Sequence, residues 1–178
     1  MDWKAFFTGI ESNWPSVWVR ESASLLAFPT IIALHAIGMG LLVGATIAMD
    51  LRVLGFAPRV PLAVLETLFP VLWFGFWLNA ASGVLLLLAY PTKALTNPLF
   101  YAKLALIGLA LAVALVIRKR ILDKPKLEDA PVSAPVPMPV PTKGKLLAGA
   151  SLALWAAAIS AGRVLAYTYT HLTASDFW

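Results

Sequence analysis

Of the 178 residues, 60% are hydrophobic and only 13% charged, about half the charged share of a soluble protein. That length leaves room for one bundle and no separate soluble domain, and the lack of cysteine excludes disulfides, iron–sulfur clusters and thiolate metal sites. The net charge of +5 needs no nucleic-acid partner, because a basic excess is what the short cytoplasmic loops of membrane proteins carry.

Residues 1–28 predict an amphipathic segment. Trp3, Phe6, Phe7, Ile10 and Trp14 recur at helical spacing, opposite Asp2, Thr8, Glu11 and Ser12. Trp14-Pro15 interrupts the pattern and Trp18 follows, which reads as a helix in the membrane interface with tryptophans at headgroup level. The segment lacks the apolar core of a secretory signal peptide, so none is expected.

Residues 29–122 predict three transmembrane helices. From Pro29 to Met49 the only ionisable side chain is His35, and those residues cover roughly 30 Å, the thickness of a bilayer's hydrocarbon core. Pro29 suits the first turn of this first span, where its missing N–H costs nothing. Ala36, Gly40, Gly44 and Ala48 are four apart and predict a smooth face for close packing inside the bundle rather than for dimerisation. Asp50 and Arg52 stand at its exit, where an interfacial salt-bridge cluster with Glu66 would fix the first hairpin.

After a loop from Leu54 to Pro61, a second helix is expected from about Leu62 to Tyr90, with Pro70 inside it as a kink. Gly75, Asn79 and Gly83 are four apart, so Asn79 sits on a small-residue face toward another helix and needs a hydrogen-bond partner there. Pro91 to Thr96 reads as a turn. Asn97-Pro98 is a helix start, with Asn as cap and Pro at the first position, and the third span runs to Ile117. Lys103, one to two turns in, is expected to snorkel outward. Arg118, Lys119 and Arg120 end the helix.

Residues 123–145 predict a linker. Six prolines between Pro125 and Pro141 prevent helix and favour extended polyproline conformations, the form of a plain spacer. The fourth span is expected from about Lys145 to His171, within a last segment of residues 146–178. Gly149, Ala153, Ala157 and Ala161 make another small face, and Arg163, Tyr167 and His171 share one stripe. The fold class is therefore all-α, a four-span transmembrane bundle with an N-terminal interfacial helix. Loops 1–2 and 3–4 hold nine basic residues against four on the opposite side. The positive-inside rule then puts the linker in the cytoplasm and both termini outside, in the periplasm if the membrane is a bacterial inner membrane.

Helical rise places His35 about 9 Å, Arg163 about 12 Å and Asn79 roughly 16 Å below the outer surface, with Tyr167 shallower. An arginine at that depth is costly and no acidic residue at its level neutralises it, so its partner is a backbone carbonyl, water, or an anionic or carbonyl-bearing ligand. Otherwise it only pins helices together. Two chemistries suit the group. His35 and His171 would hold a haem b iron, with Arg163 near a propionate, although His171 lies about 9 Å shallower than His35. Alternatively, a quinone or lipid headgroup would meet His35, Arg163 and Tyr167.

The segments Leu34-His35-Ala36-Ile37-Gly38, Asp50-Leu51-Arg52-Val53-Leu54-Gly55, Asn97-Pro98-Leu99-Phe100-Tyr101-Ala102-Lys103-Leu104 and Gly162-Arg163-Val164-Leu165-Ala166-Tyr167 resemble a family of small bacterial four-helix inner-membrane proteins. The resemblance spans most of residues 27–167 and implies the fold but no activity. The sequence reads as a membrane subunit of an electron-transfer assembly, joined to other membrane subunits or to copies of itself in the lipid bilayer. The alternatives are a non-catalytic structural or assembly subunit and a small-solute transporter, the latter disfavoured by four spans without evident internal repeats. No nucleophile–base pair and no phosphate loop is evident, so no autonomous catalysis is expected.

Overall fold

The computed structural model describes residues 3–122 and 140–174. Most of the 123–145 linker, and the tail beyond residue 174, lie outside the described residues. The chain folds into helices α1 (Trp3–Glu11), α2 (Trp14–Glu21), α3 (Phe28–Leu54), α4 (Leu68–Ala89), α5 (Pro91–Leu95), α6 (Pro98–Ile117) and α7 (Thr142–Ala174). Among the described residues, four stretches are long and apolar enough to cross a membrane: α3, Val64–Ala89, Pro98–Ile121 and Thr142–Leu165. The protein is an all-α, four-span membrane bundle.

Local chemistry sets the helix ends. Pro29 and Pro98 occupy first-turn positions, and the Asn97 side chain accepts from the Leu99 N–H at 2.9 Å, as its place before Pro98 predicts. Gly55 closes α3 at φ 110°, a conformation that a side chain would strain. Several boundaries differ from expectation. Residues 62–67 form a 3₁₀ helix and α4 starts only at Leu68. Pro70 therefore falls in the first turn of α4, where it displaces no intrahelical bond and need not kink the helix. The turn after Tyr90 is the short helix α5, and α6 continues past Ile117 as a wider π turn, Arg118–Leu122. Helix α7 begins at Thr142, three residues earlier than expected, directly after the last proline of the linker.

Helix α3 is central. It packs on α4 and on α7, α7 packs on α6, and α4 and α6 hardly meet. The α3–α4 seam is the closest approach. A Cβ on Gly38 would lie 2.6 Å from the Asn79 backbone nitrogen, and one on Gly75 would lie 2.6 Å from that of Leu42. The predicted Gly75, Asn79, Gly83 face is thus the packing face of α4. The small face predicted for the first span is not used for packing. Ala36, Gly40, Gly44 and Ala48 are all exposed, and nothing stands within 4 Å of a Cβ built on either glycine. The buried side of α3 runs through Ile31, Gly38, Leu42, Ala45, Met49 and Val53. Gly149, Ala153 and Ala157 on α7 likewise face outward, with Ala161 half-buried. The larger side chains choose the interior because filling it removes more apolar surface and makes more contacts than a smooth stripe can.

Leu42, Met49, Phe69, Leu72, Ala110 and Trp155, contributed by all four spans, fill the half of the bundle nearer the linker. At the opposite end α1 and α2 form a cap. Ser16 donates to the Leu88 carbonyl at 2.8 Å and Arg20 to the Ala89 carbonyl at 3.1 Å, satisfying two carbonyls at the C-terminus of α4. Glu11 accepts from the Thr92 N–H at 3.1 Å, and Val19 is buried against Ile31 and Ala89. The break between α1 and α2 falls at Ser12 and Asn13, before Trp14-Pro15 rather than at it. Trp14 remains exposed, as an interfacial anchor should.

The salt-bridge cluster expected of Asp50, Arg52 and Glu66 does not form. Arg52 donates instead to the carbonyls of Val60 at 2.6 Å and Pro58 at 3.1 Å, clamping the loop it borders. Glu66 is exposed and Asp50 is buried without an ion partner among the described residues. The loop carbonyls lie within reach of Arg52 because Gly55 turns the chain back toward it.

Candidate functional site

Because α4 and α6 barely meet, the capped half of the bundle is left open between them. A cavity of about 670 Å³ occupies this space, within the size range of small-molecule sites. Its walls come from α3 (Phe28, Ile32, His35), α4 (Asn79, Gly83, Leu87), α6 (Phe100, Lys103, Leu104, Ile107) and α7 (Gly162, Leu165), with Tyr90, Lys93 and Ala94 at the capped end. The lining is predominantly apolar. Its ionisable residues are His35, Lys93, Lys103 and Tyr90, and none is acidic.

His35 is held by a closed exchange with α4. Its Nδ1 lies 3.1 Å from the Asn79 carbonyl, and since a carbonyl only accepts, Nδ1 carries the proton. The same nitrogen lies 3.2 Å from Ser82 Oγ, whose own hydroxyl donates to the Leu78 carbonyl at 2.7 Å. In return Asn79 Nδ2 donates to the His35 carbonyl at 2.8 Å. Asn79 and Ser82 are 8% and 4% exposed, so both bonds are shielded from water. Gly83 permits the arrangement: a Cβ there would stand 3.2 Å from His35 Cε1. With Nδ1 committed as donor, the neutral imidazole presents the lone pair of Nε2, the form in which histidine accepts a proton or ligates a metal.

Lys103 faces His35 across the cavity from α6. Rather than snorkelling outward it is half-buried, its Cδ, Cε and Nζ 3.6–3.7 Å from where a Gly162 Cβ would sit. A methyl at 162 would meet this arm in ordinary van der Waals contact, whereas a branched side chain would reach into its path. The expectation that Arg163 and Tyr167 join His35 is not met. Both are exposed, and neither lines the cavity. Their stripe on α7 lies beside Gly162 and Leu165, which do face inward. The side chain of His171 lies outside the described residues. Of the five residues expected at the site, His35 and Asn79 are therefore brought together there, and Lys103 takes the cationic place assigned to Arg163.

Ser82 and Lys103 were missed, and each had a signal. Ser82 follows Asn79 by three residues, one helical turn on the same face. Lys103 stands six residues past the Asn97 cap, about 9 Å in, the same depth as His35 six residues past Pro29. Among the described residues, no group of three or more His, Asp or Glu is placed to hold a metal ion. The chain matches no protein-family model, no curated protein and no solved structure.

Proposed function

We propose that this protein is an integral membrane subunit of an electron-transfer assembly and that the cavity between α4 and α6 is a quinone site. One observation carries the reading. His35 Nδ1 is tied to the Asn79 carbonyl, so Nε2 is left as an acceptor on an apolar cavity whose other wall holds the Lys103 ammonium. A quinone supplies two-electron, two-proton redox chemistry and carries an oxygen at each end of its ring. In the quinol form His35 Nε2 would accept from the hydroxyl at one end, in either redox state Lys103 would donate to the oxygen at the other, and Phe100 and Ile107 would flank the ring. The gap between α4 and α6 gives an isoprenoid tail a way into the lipid. The test is extraction of co-purified quinone, quantified against protein. His35→Ala and Lys103→Met are each expected to lower it while the bundle stays helical, and unchanged quinone in both variants would refute the reading.

The histidine geometry also suits haem b, because a fixed Nδ1–H donor is what orients an axial imidazole. His35 would be one ligand, and His171 is the other histidine of the chain. A Soret band in the visible spectrum of the purified protein would favour haem over quinone.

The orientation that accompanies this reading has the linker in the cytoplasm and both termini in the periplasm of a bacterial inner membrane, in keeping with the nine-to-four division of basic residues. The outward stripe of Ala36, Gly40, Gly44 and Ala48 supports assembly with other membrane subunits or a second copy, since it leaves a smooth helix face in the lipid.

A further inference from the structure

Where the third span ends and the fourth begins, α6 and α7 border a second pocket, of about 660 Å³. Its lining carries three cations: Lys119 and Arg120 from the π turn that continues α6, and Lys143 from the first turn of α7. Val116, Ile121 and Leu147 give it an apolar floor. Ile121 and Leu147 belong to a cluster that runs inward to the buried Val53, Ile117 and Ala148. Gly144 is buried at the joint, where a Cβ would stand 2.8 Å from Ile121 Cδ1, so the end of α6 and the start of α7 are in close contact there.

The charges are uncompensated. Lys119, Arg120 and Lys143 are exposed, no acidic residue lines the pocket, and none of the three forms a salt bridge among the described residues. Arg118, the first cation of the run, is engaged elsewhere: its guanidinium lies over Phe69, with Cζ 4.6 Å from the ring centroid. Lys143 also stands in the first turn of α7, where the helix dipole is positive and a cation is disfavoured. Three like charges thus border one pocket with no carboxylate among the described residues to neutralise them. An anion is what the arrangement lacks.

Position decides which anion. Ile121 and Thr142 are the ends of two membrane-crossing stretches. A pocket between those ends lies where the headgroups of a bilayer meet its hydrocarbon. A soluble anion would use the cations but not the apolar floor, whereas a phospholipid uses both. Basic pockets between spans at a membrane surface are a recurring form of anionic-headgroup site.

We propose that this pocket binds an anionic phospholipid, with Lys119, Arg120 and Lys143 meeting its phosphate oxygens and an acyl chain lying along Val116, Ile121 and Leu147. The proposal does not depend on what the cavity at the other end binds, nor on which side of the membrane the linker lies.

The test is native mass spectrometry of the full-length protein released from nanodiscs of phosphatidylcholine and phosphatidylglycerol in equal amounts, read as the ratio of the two lipids retained. The parent is expected to prefer phosphatidylglycerol. Each cation removed from an anionic headgroup weakens binding roughly fivefold, so Arg120→Gln/Lys143→Gln is expected to lower the preference about 25-fold. Arg59→Gln/Lys145→Gln removes the same charge from exposed residues off the pocket and is expected to leave the preference nearly unchanged. Equal losses in the two pairs would reduce the effect to general surface attraction and overturn the site. Inorganic phosphate is expected to displace no more lipid than chloride at equal ionic strength. Greater displacement by phosphate would assign the pocket to a soluble anion instead. A preference that emerges only in Asp123→Asn/Glu128→Gln/Asp129→Asn would assign it to the acidic residues of the chain's own linker.

Discussion

His35 and Asn79 are each bonded to the other's backbone: His35 Nδ1 to the Asn79 carbonyl at 3.1 Å, Asn79 Nδ2 to the His35 carbonyl at 2.8 Å. The exchange couples helix packing to site chemistry. It joins α3 to α4 where Gly38 and Gly75 allow the backbones to touch, and it also decides which imidazole nitrogen carries the proton and which is left as an acceptor.

Asn79→Ala is therefore expected to act twice. It removes the donor to the His35 carbonyl and opens a small void, at a cost of about 1–3 kcal/mol. The Nδ1 bond to the residue 79 backbone carbonyl is retained, but without the side-chain tether the His35 backbone can shift against α4 and carry the imidazole with it, so any bound quinone should fall even where the bundle remains folded. Thermal unfolding in detergent and quinone extraction measure the two effects separately. A variant with native stability and native quinone content would show that the exchange is incidental.

The glycines divide by face. Gly38→Ala and Gly75→Ala each drive a methyl to within 2.6 Å of a backbone nitrogen, which cannot yield without moving a helix. Overpacking of this kind costs about 1–3 kcal/mol, and Leu at either position should prevent the fold. Gly40→Leu and Gly44→Leu point into open space and are expected to leave unfolding within about 0.5 kcal/mol of the parent. Comparable losses for both pairs, read from folded yield and midpoint in detergent, would contradict the seam.

How far the sequence could be read depends on which property wrote the signal. Span number and approximate place follow from runs of apolar residues, and these are local. The Asn97 cap and the glycine face of α4 are also local, and both were legible. The direction in which a helix turns is not local. Ala36, Gly40, Gly44 and Ala48 form as clear a stripe as Gly75, Asn79 and Gly83, but only the second packs against a neighbouring helix. On α3 the choice was made by the bulk of Leu42, Met49 and Val53 on the competing face. The same uncertainty misplaced Arg163: depth was estimated from rise along α7, whereas its azimuth depends on how α7 sits against α3 and α6. Asp50 and Arg52 look like an ion pair in sequence, but two residues along a helix point about 200° apart.

The proposed orientation predicts an asymmetric labelling pattern. Ser12 is exposed at the capped end and Glu66 at the linker end. In intact cells, Ser12→Cys is expected to react with an impermeant thiol reagent and Glu66→Cys only after lysis. The chain has no native cysteine to confuse the result. Reaction at residue 66 and protection at residue 12 would invert the topology.

Lys103 offers the sharpest test of the cavity, because three substitutions at and around it have different expected outcomes. Lys103→Met keeps the length and apolar arm and removes the charge. Loss of a charged hydrogen bond to a ligand oxygen is worth about 1.5–3 kcal/mol, or roughly 10- to 150-fold in affinity. Gly162→Val leaves Lys103 in place chemically but builds side-chain atoms into the space now held by Cδ, Cε and Nζ, at 3.6–3.7 Å from the new Cβ. It should weaken the ligand as Lys103→Met does, without deleting any charge. Arg163→Leu removes a neighbouring cation that is exposed and off the cavity, and it should leave affinity unchanged. Quinone titration by intrinsic tryptophan fluorescence in proteoliposomes compares all three with the parent. If Arg163→Leu alone weakened binding, the cation that serves the ligand would be the exposed arginine of α7, and the site would have to be sought on the lipid-facing surface of that helix.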